Sequence, residues 1–281
     1  MNRKSILVAT LTSILALGLV ACSKSEEESM AQPSRISFSS AVMGSSTAGW
    51  TGKENVAVSI NGTVSQFTAM TNGDLQSAQP LFWEGETPKK VTAWYCGDNV
   101  YRQSITEWTV AKDQTTGIAK NDLLYAPERE IIPTERDKQL TFYHQVAQVV
   151  LEITSDRAIS EVTIGGDTYF AISGRFTAPT KDFATWTSKA VYGVIKPYVE
   201  GNTYRALVIP QDASGREFVH ITYTDGLSEV YTPKTGEASL KAGQRHTFRF
   251  TITKQETKVE VENQPISGWG DQGHKDDSII I

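Results

Sequence analysis

From His246 to Ile252 the chain reads HTFRFTI, with Thr247, Arg249 and Thr251 set between His246, Phe248, Phe250 and Ile252. A period of two sends alternate side chains to opposite faces, which suits a half-buried strand and does not suit a helix. The pattern recurs along the chain. Ile36, Phe38 and Val42 alternate with Ser37, Ser39 and Ala41, and Val56, Val58 and Ile60 alternate with Ala57 and Ser59. Ala147, Val149, Leu151 and Ile153 follow, then Val219, Ile221 and Tyr223, then Val259 and Val261 between Lys258, Glu260 and Glu262. Turn signals separate these runs at Asn61-Gly62, Asn72-Gly73, Asp225-Gly226 and Lys241-Ala242-Gly243, and Gly165-Gly166-Asp167 reads as a hairpin turn. No stretch holds a 3.6-residue apolar period, so the expected fold is all-β, built from one or two sandwiches of antiparallel strands.

The N-terminus is of a different kind. Arg3 and Lys4 precede an apolar run from Ile6 to Val20. About 15 apolar residues are too few to span a bilayer core and suit a secretory signal. Leu19-Val20-Ala21-Cys22 resembles a bacterial lipobox, which makes 1–21 the expected signal peptide and Cys22 the expected site of lipidation. Several acyl chains on one cysteine give a durable membrane anchor, where a single chain is marginal. Residues 22–35, with Glu26, Glu27 and Glu28, are expected to be a disordered acidic tether.

Proline followed by dense charge over Pro133–Lys138 suits an exposed connection, placing an N-terminal β-sandwich at 36–135 and a C-terminal β-sandwich with its tail at 138–281. The net charge is −5, and loss of Arg3 and Lys4 with the signal makes it more negative, so no footprint for nucleic acid exists. Beyond Cys22 the only cysteine is Cys96, inside the apolar run VTAWYC, where it reads as a small buried hydrophobe.

The residues offer little chemistry. His144, His220, His246 and His274 lie far apart, with no Cys or acidic pair at metal-ligand spacing. Neighbouring carboxylates such as Glu128 and Glu130 do not supply a pair held across a cleft. No enzyme, cofactor or metal is expected. Six tryptophans leave one alternative open, a monomeric surface lipoprotein that binds glycans through exposed aromatics.

Taken in order, several segments resemble the fimbrillin (type V pilin) family of Bacteroidetes-type bacteria. They are the lipobox at Cys22, ISFSS (36–40), W-x-x-x-E-N-V-A-V (50–58), PLFWEG (80–85) and KVTAWY (90–95). DLLYA (122–126), LTFYHQVAQVVLEI (140–153), YRALVIPQ (204–211), LKAGQRHTFRFTI (240–252) and ISGWG (266–270) complete the order. The resemblance implies two tandem transthyretin-like, Greek-key β-sandwich domains, export to the cell outer membrane as a surface-exposed lipoprotein, and a role as stalk, anchor or tip subunit of an adhesive fimbrium. The implied partners are other pilin subunits, the outer membrane through the lipid anchor, and host or bacterial surface ligands. It also implies strand exchange, in which a protease removes the first strand and a neighbour's strand fills the groove. Ile36, Phe38 and Val42 would then be the displaced strand, Arg35 a protease site, and Ile279, Ile280 and Ile281 part of a donor tail. One feature departs from the family pattern: no arginine follows the first strand before the next, and the first basic residue there is Lys53. Cutting at Arg35 would sever the tether yet keep the strand, which favours an anchor or accessory role.

Overall fold

The computed structural model describes residues 34–43, 49–253 and 256–266. They belong to one compact unit, Pro33–Ile281. The signal segment, Cys22, His274 and the tail with Ile279, Ile280 and Ile281 lie outside the described residues, as does the tether apart from Ser34 and Arg35. Among the described residues the regular structure is all strand except for one 3-10 turn at Ala119–Asn121.

The chain begins with β1 (Phe38–Val42), β2 (Glu54–Ile60), β3 (Thr63–Ala69), β4 (Asp74–Ser77) and β5 (Lys89–Cys96). Next come a short β6 (Glu107–Thr109), β7 (Leu123–Ile131) and β8 (Gln139–His144). All of these but β6 close into a barrel in the order β1-β4-β3-β2-β5-β7-β8. At the β2–β3 hairpin Asn61 and Gly62 have φ of 49° and 84°, a two-residue turn whose twist matches that of the strands. The barrel closes in parallel, with Ser39 beside Gln139 and Val42 beside Phe142. The sheets are therefore mixed rather than purely antiparallel, because a period of two reports which face is buried and not which way the neighbour runs. The charged stretch 133–138 links β7 to β8, which pair with each other at Leu124–His144 and Tyr125–Tyr143. The chain leaves the barrel at β6, which pairs with β11 in another sheet, returns for β7 and β8, and leaves again after His144.

It continues through β9 (Ala147–Ser155), β10 (Ile159–Ala171), β11 (Ser173–Thr177), β12 (Thr185–Ser188), β13 (Tyr192–Ile195), β14 (Tyr198–Glu200) and β15 (Thr203–Val208). The last strands are β16 (Gln211–Asp212), β17 (Val219–Tyr223), β18 (Ser228–Tyr231), β19 (Ser239–Leu240), β20 (Gln244–Ile252) and β21 (Thr257–Pro265). A five-stranded sheet, β14-β15-β9-β20-β21, faces a four-stranded one, β13-β10-β17-β18. Phe218, just before β17, and Tyr231 of β18 meet Phe248 of β20 at ring-centroid distances of 5.2 and 6.1 Å. At the centre of the five-stranded sheet β9 and β20 run parallel from Gln148–Arg245 to Ser155–Ile252. The Gly165-Gly166 pair is not a hairpin turn. It lies inside β10, where the register with β13 shifts, and Gly165 has φ of 87° with the Phe170 ring where a Cβ would stand. A bulge needs the same glycine freedom as a turn, so the residues alone do not separate the two.

The two cores share a wall. Val56, Val58, Val91, Ala93, Leu124 and Ala126 point into the barrel, while Ala57, Trp94, Cys96, Leu123 and Tyr125 from the same three strands point into the larger core beyond. That is why VTAWYC is apolar almost throughout: β5 is dry on both faces. Trp94 stacks on Tyr125 at 6.2 Å, Tyr125 packs on Phe176 at 5.3 Å, and Phe176 meets Trp186 at 5.5 Å, an aromatic chain from the wall to the three-stranded sheet β12-β11-β6.

Candidate functional site

The first strand is the stave that closes the barrel. β1 pairs with β4 over only Phe38–Leu75 and Ser39–Asp74, and with β8 over four residues. Phe38 and Val42 are buried in the barrel core, and Phe38 lies 6.1 Å from Phe67 between ring centroids. Ile36 is buried in the same core but precedes the strand, its N–H donating to the Leu81 carbonyl at 2.7 Å. Burying three such side chains contributes roughly 5–9 kcal/mol as an upper figure. Without them the barrel would open between β4 and β8 and leave an unpaired edge on each.

Sequence reasoning missed Ser40, the inward position between Phe38 and Val42. It is 3% exposed. Its Oγ donates to the Gly73 carbonyl at 2.6 Å and accepts the Trp50 indole N–H at 2.9 Å, tying the stave to β4 and to the approach to β2. A lone serine on an otherwise apolar strand face was the available signal, and it marks a buried hydrogen bond.

Arg35 is exposed, and its backbone bridges Phe82, so the expected cleavage point is held in a short ladder. Lys53, the other basic residue near the strand, lies in a turn wrapped around a carboxylate. Glu54 accepts the Thr51 N–H at 2.8 Å and the Thr51 hydroxyl through Oε1, and the N–H groups of Gly52 and Lys53 at 3.0 Å each through Oε2. Burial pushes this carboxyl up, but the Thr51 and Lys53 hydrogen bonds outweigh it and hold Glu54 below its ordinary value.

The remaining candidate chemistry dissolves into structure. Cys96 is a buried free thiol that burial pushes up to about 11. His144 Nδ1 lies 2.9 Å from Asp122 Oδ2. His246 Nε2 accepts the Lys241 N–H at 3.0 Å while Nδ1 faces Asn263 Oδ1 at 2.6 Å, and burial holds the imidazole below its ordinary value. No group of three His, Cys, Asp or Glu that could hold a metal occurs among the described residues. Trp50, Trp83, Trp94 and Trp108 are all buried and Trp186 is half-buried, so none of the described tryptophans offers an exposed platform for a sugar.

The model of fimbrillin-like proteins matches residues 38–269, from the start of the stave into the C-terminal segment. The chain belongs to the fimbrillin-like family. A comparison with curated proteins gives no match. Among solved structures, this fimbrillin-like chain is similar to a protein of Bacteroides uniformis assigned to cell adhesion, with 17% identity and a TM-score of 0.65 over 83% of this chain and 99% of that one. It is similar to a second such protein, from Bacteroides ovatus, with 14% identity and a TM-score of 0.64 over 83% and 98%. The C-terminally truncated tip fimbrial protein Mfa3 of Porphyromonas gingivalis is similar at 7% identity and a TM-score of 0.50, over 82% and 98%. At these identities the likeness is one of fold, and it spans those chains almost from end to end.

Proposed function

We propose that this fimbrillin-like chain is a structural or accessory subunit of an adhesive surface fibre, carried to the cell outer membrane as a lipoprotein acylated on Cys22. Its partners are other fibre subunits, with host or bacterial surface ligands at the fibre's exposed end. In this reading residues 36–135 and 138–281 are two transthyretin-like β-sandwich domains. Its part in the fibre is structural rather than catalytic.

The observation that carries the reading is the stave: a short first strand at a parallel seam, with Phe38 and Val42 in the core and few ladder bonds to β4. Strand exchange would replace it, and a segment with Ile279, Ile280 and Ile281, if extended as a strand, would put Ile279 and Ile281 on one face. The absence of arginine between β1 and β2, with Lys53 in a pinned turn, favours retention of the strand and hence an anchor or accessory place. Mass spectrometry of the mature N-terminus, in protein sheared from cells and in protein left in the membrane, tests this. The expected start is a lipidated Cys22 in the membrane fraction. A start beyond Val42 in sheared fibres would make the chain a polymerising stalk subunit, and a soluble secreted monomer with no lipid would overturn the proposal.

A further inference from the structure

Most cations on this surface have a carboxylate within reach. Lys90 meets Glu128, Lys196 meets Glu161, Lys189 meets Glu107, and Arg249 meets both Glu152 and Glu262. In a chain with 32 acidic and 27 basic residues, that is the expected outcome. The seam of the barrel is an exception. Arg35, Arg136 and Lys138 line one open groove beside β1, together with Ser37, Ser39, Gln76 and Ser77. None of the three cations makes an ion pair among the described residues; Lys138 Nζ donates to the Glu135 main-chain carbonyl. Of the nearby acids Glu135 pairs with Arg129, Asp137 accepts the Gln139 N–H, and Asp74, which lines the β4 side of the groove, accepts the Asn72 amide, leaving three cations against one carboxylate in the lining.

We propose that this groove binds an anionic glycan, its sulfate or carboxylate groups held by Arg35, Arg136 and Lys138 and its hydroxyls by the serines and Gln76. Guanidinium groups present a planar fork of donors that fits sulfate and carboxylate oxygens. Hydroxyl and amide groups between the cations suit a ligand that is mostly neutral and polar, with anions spaced along it. Duplex nucleic acid, at about one charge per 1.7 Å of axis, would be repelled by the acidic remainder of the chain far more strongly than a glycan with about one or two charges per disaccharide. The groove draws on three pieces of the barrel: the segment leading into β1, strand β4 and the β7–β8 loop. A ligand bridging them would hold the seam shut. The site rests on the reading that the first strand is retained, because Arg35, Ser37 and Ser39 would leave with it.

The test uses the full chain in detergent and chondroitin sulfate, titrated by calorimetry at low and at 0.3 M salt, with hyaluronan, neutral dextran and phosphatidylglycerol vesicles in parallel. Chondroitin sulfate is expected to bind in a salt-sensitive way and to raise the melting midpoint. The R35Q/R136Q/K138Q variant is expected to lose at least tenfold in affinity. These side chains lie outside the core, and an unchanged melting midpoint without ligand confirms that the variant is folded. A control variant with the exposed Lys181, Lys234 and Lys241 changed to glutamine is expected to stay within twofold. Equal binding of hyaluronan would assign the anion as carboxylate; much weaker binding would assign it as sulfate. No binding of either anionic glycan, equal binding of dextran, binding only to vesicles, or equal loss in both triple variants would overturn the proposal.

Discussion

Two side chains near the first strand show how much of a fold rests on single polar groups. Glu54 is a carboxylate whose hydrogen bonds from Thr51, Gly52 and Lys53 exist only in the folded chain. Its folded pKa lies below the ordinary value, so the contribution is complete above the unfolded pKa of about 4.3 and disappears as pH falls through the folded pKa. Glu54→Ala is expected to cost about 1.5–3 kcal/mol near neutral pH in urea denaturation. The gap between wild type and variant should stay constant from pH 8 to 6 and narrow toward pH 3; a constant gap throughout would show that the charge is immaterial. Ser40→Ala leaves the Trp50 indole N–H without its acceptor, while the Gly73 carbonyl keeps the Ser40 main-chain N–H at 2.7 Å, an expected loss of about 1–3 kcal/mol. Indole fluorescence would register the freed Trp50 as well. Ser40 carried one signal, a serine on an otherwise apolar strand face, whereas Glu54, whose donors Thr51, Gly52 and Lys53 directly precede it, carried none, because a glutamate at a strand start ordinarily faces solvent.

At the scale of elements, the alternating runs did mark strands. HTFRFTI lies in β20, AQVVLEI in β9 and VHITY is β17, each with its predicted apolar set buried. What alternation could not supply was the neighbour. β1 lies between β4 and β8, distant in sequence and one of them parallel, an arrangement set by closure of the barrel rather than by any local pattern. This gives the stave its expected behaviour. A chain starting at Gly49 should expose the faces of Phe67, Leu75, Leu140 and Phe142 that the first strand covers, bind an apolar dye such as ANS, and associate through the β4 and β8 edges. A synthetic peptide of residues 34–43 should displace the dye and restore the monomer. A truncated chain that stays monomeric and dye-silent would mean that the barrel recloses without its stave.

For the molecule as a whole, the decisive feature is the wall of β2, β5 and β7, which serves two cores at once. Sequence reading assigned one dry face to such strands, and the almost wholly apolar VTAWYC was the visible hint that both faces are covered. Because Ala57, Trp94 and Tyr125 belong to the larger core while their immediate neighbours line the barrel, unfolding either core strips cover from the same strands. Two domains joined by a linker would melt separately if their interface were small and polar, but a shared wall couples them. Trp94 carries much of that coupling: its ring stacks on Tyr125, and its indole N–H donates to the Arg102 carbonyl at 2.9 Å. Trp94→Ala is expected to cost about 3–5 kcal/mol. Hydrogen exchange locates the loss. If the wall couples the cores, amides of β8 in the barrel and of β20 in the larger core lose protection by the same amount in the variant, and unfolding stays a single transition. If only β20 loosens while β8 keeps its protection, the barrel stands alone and the wall is merely a contact between independent domains.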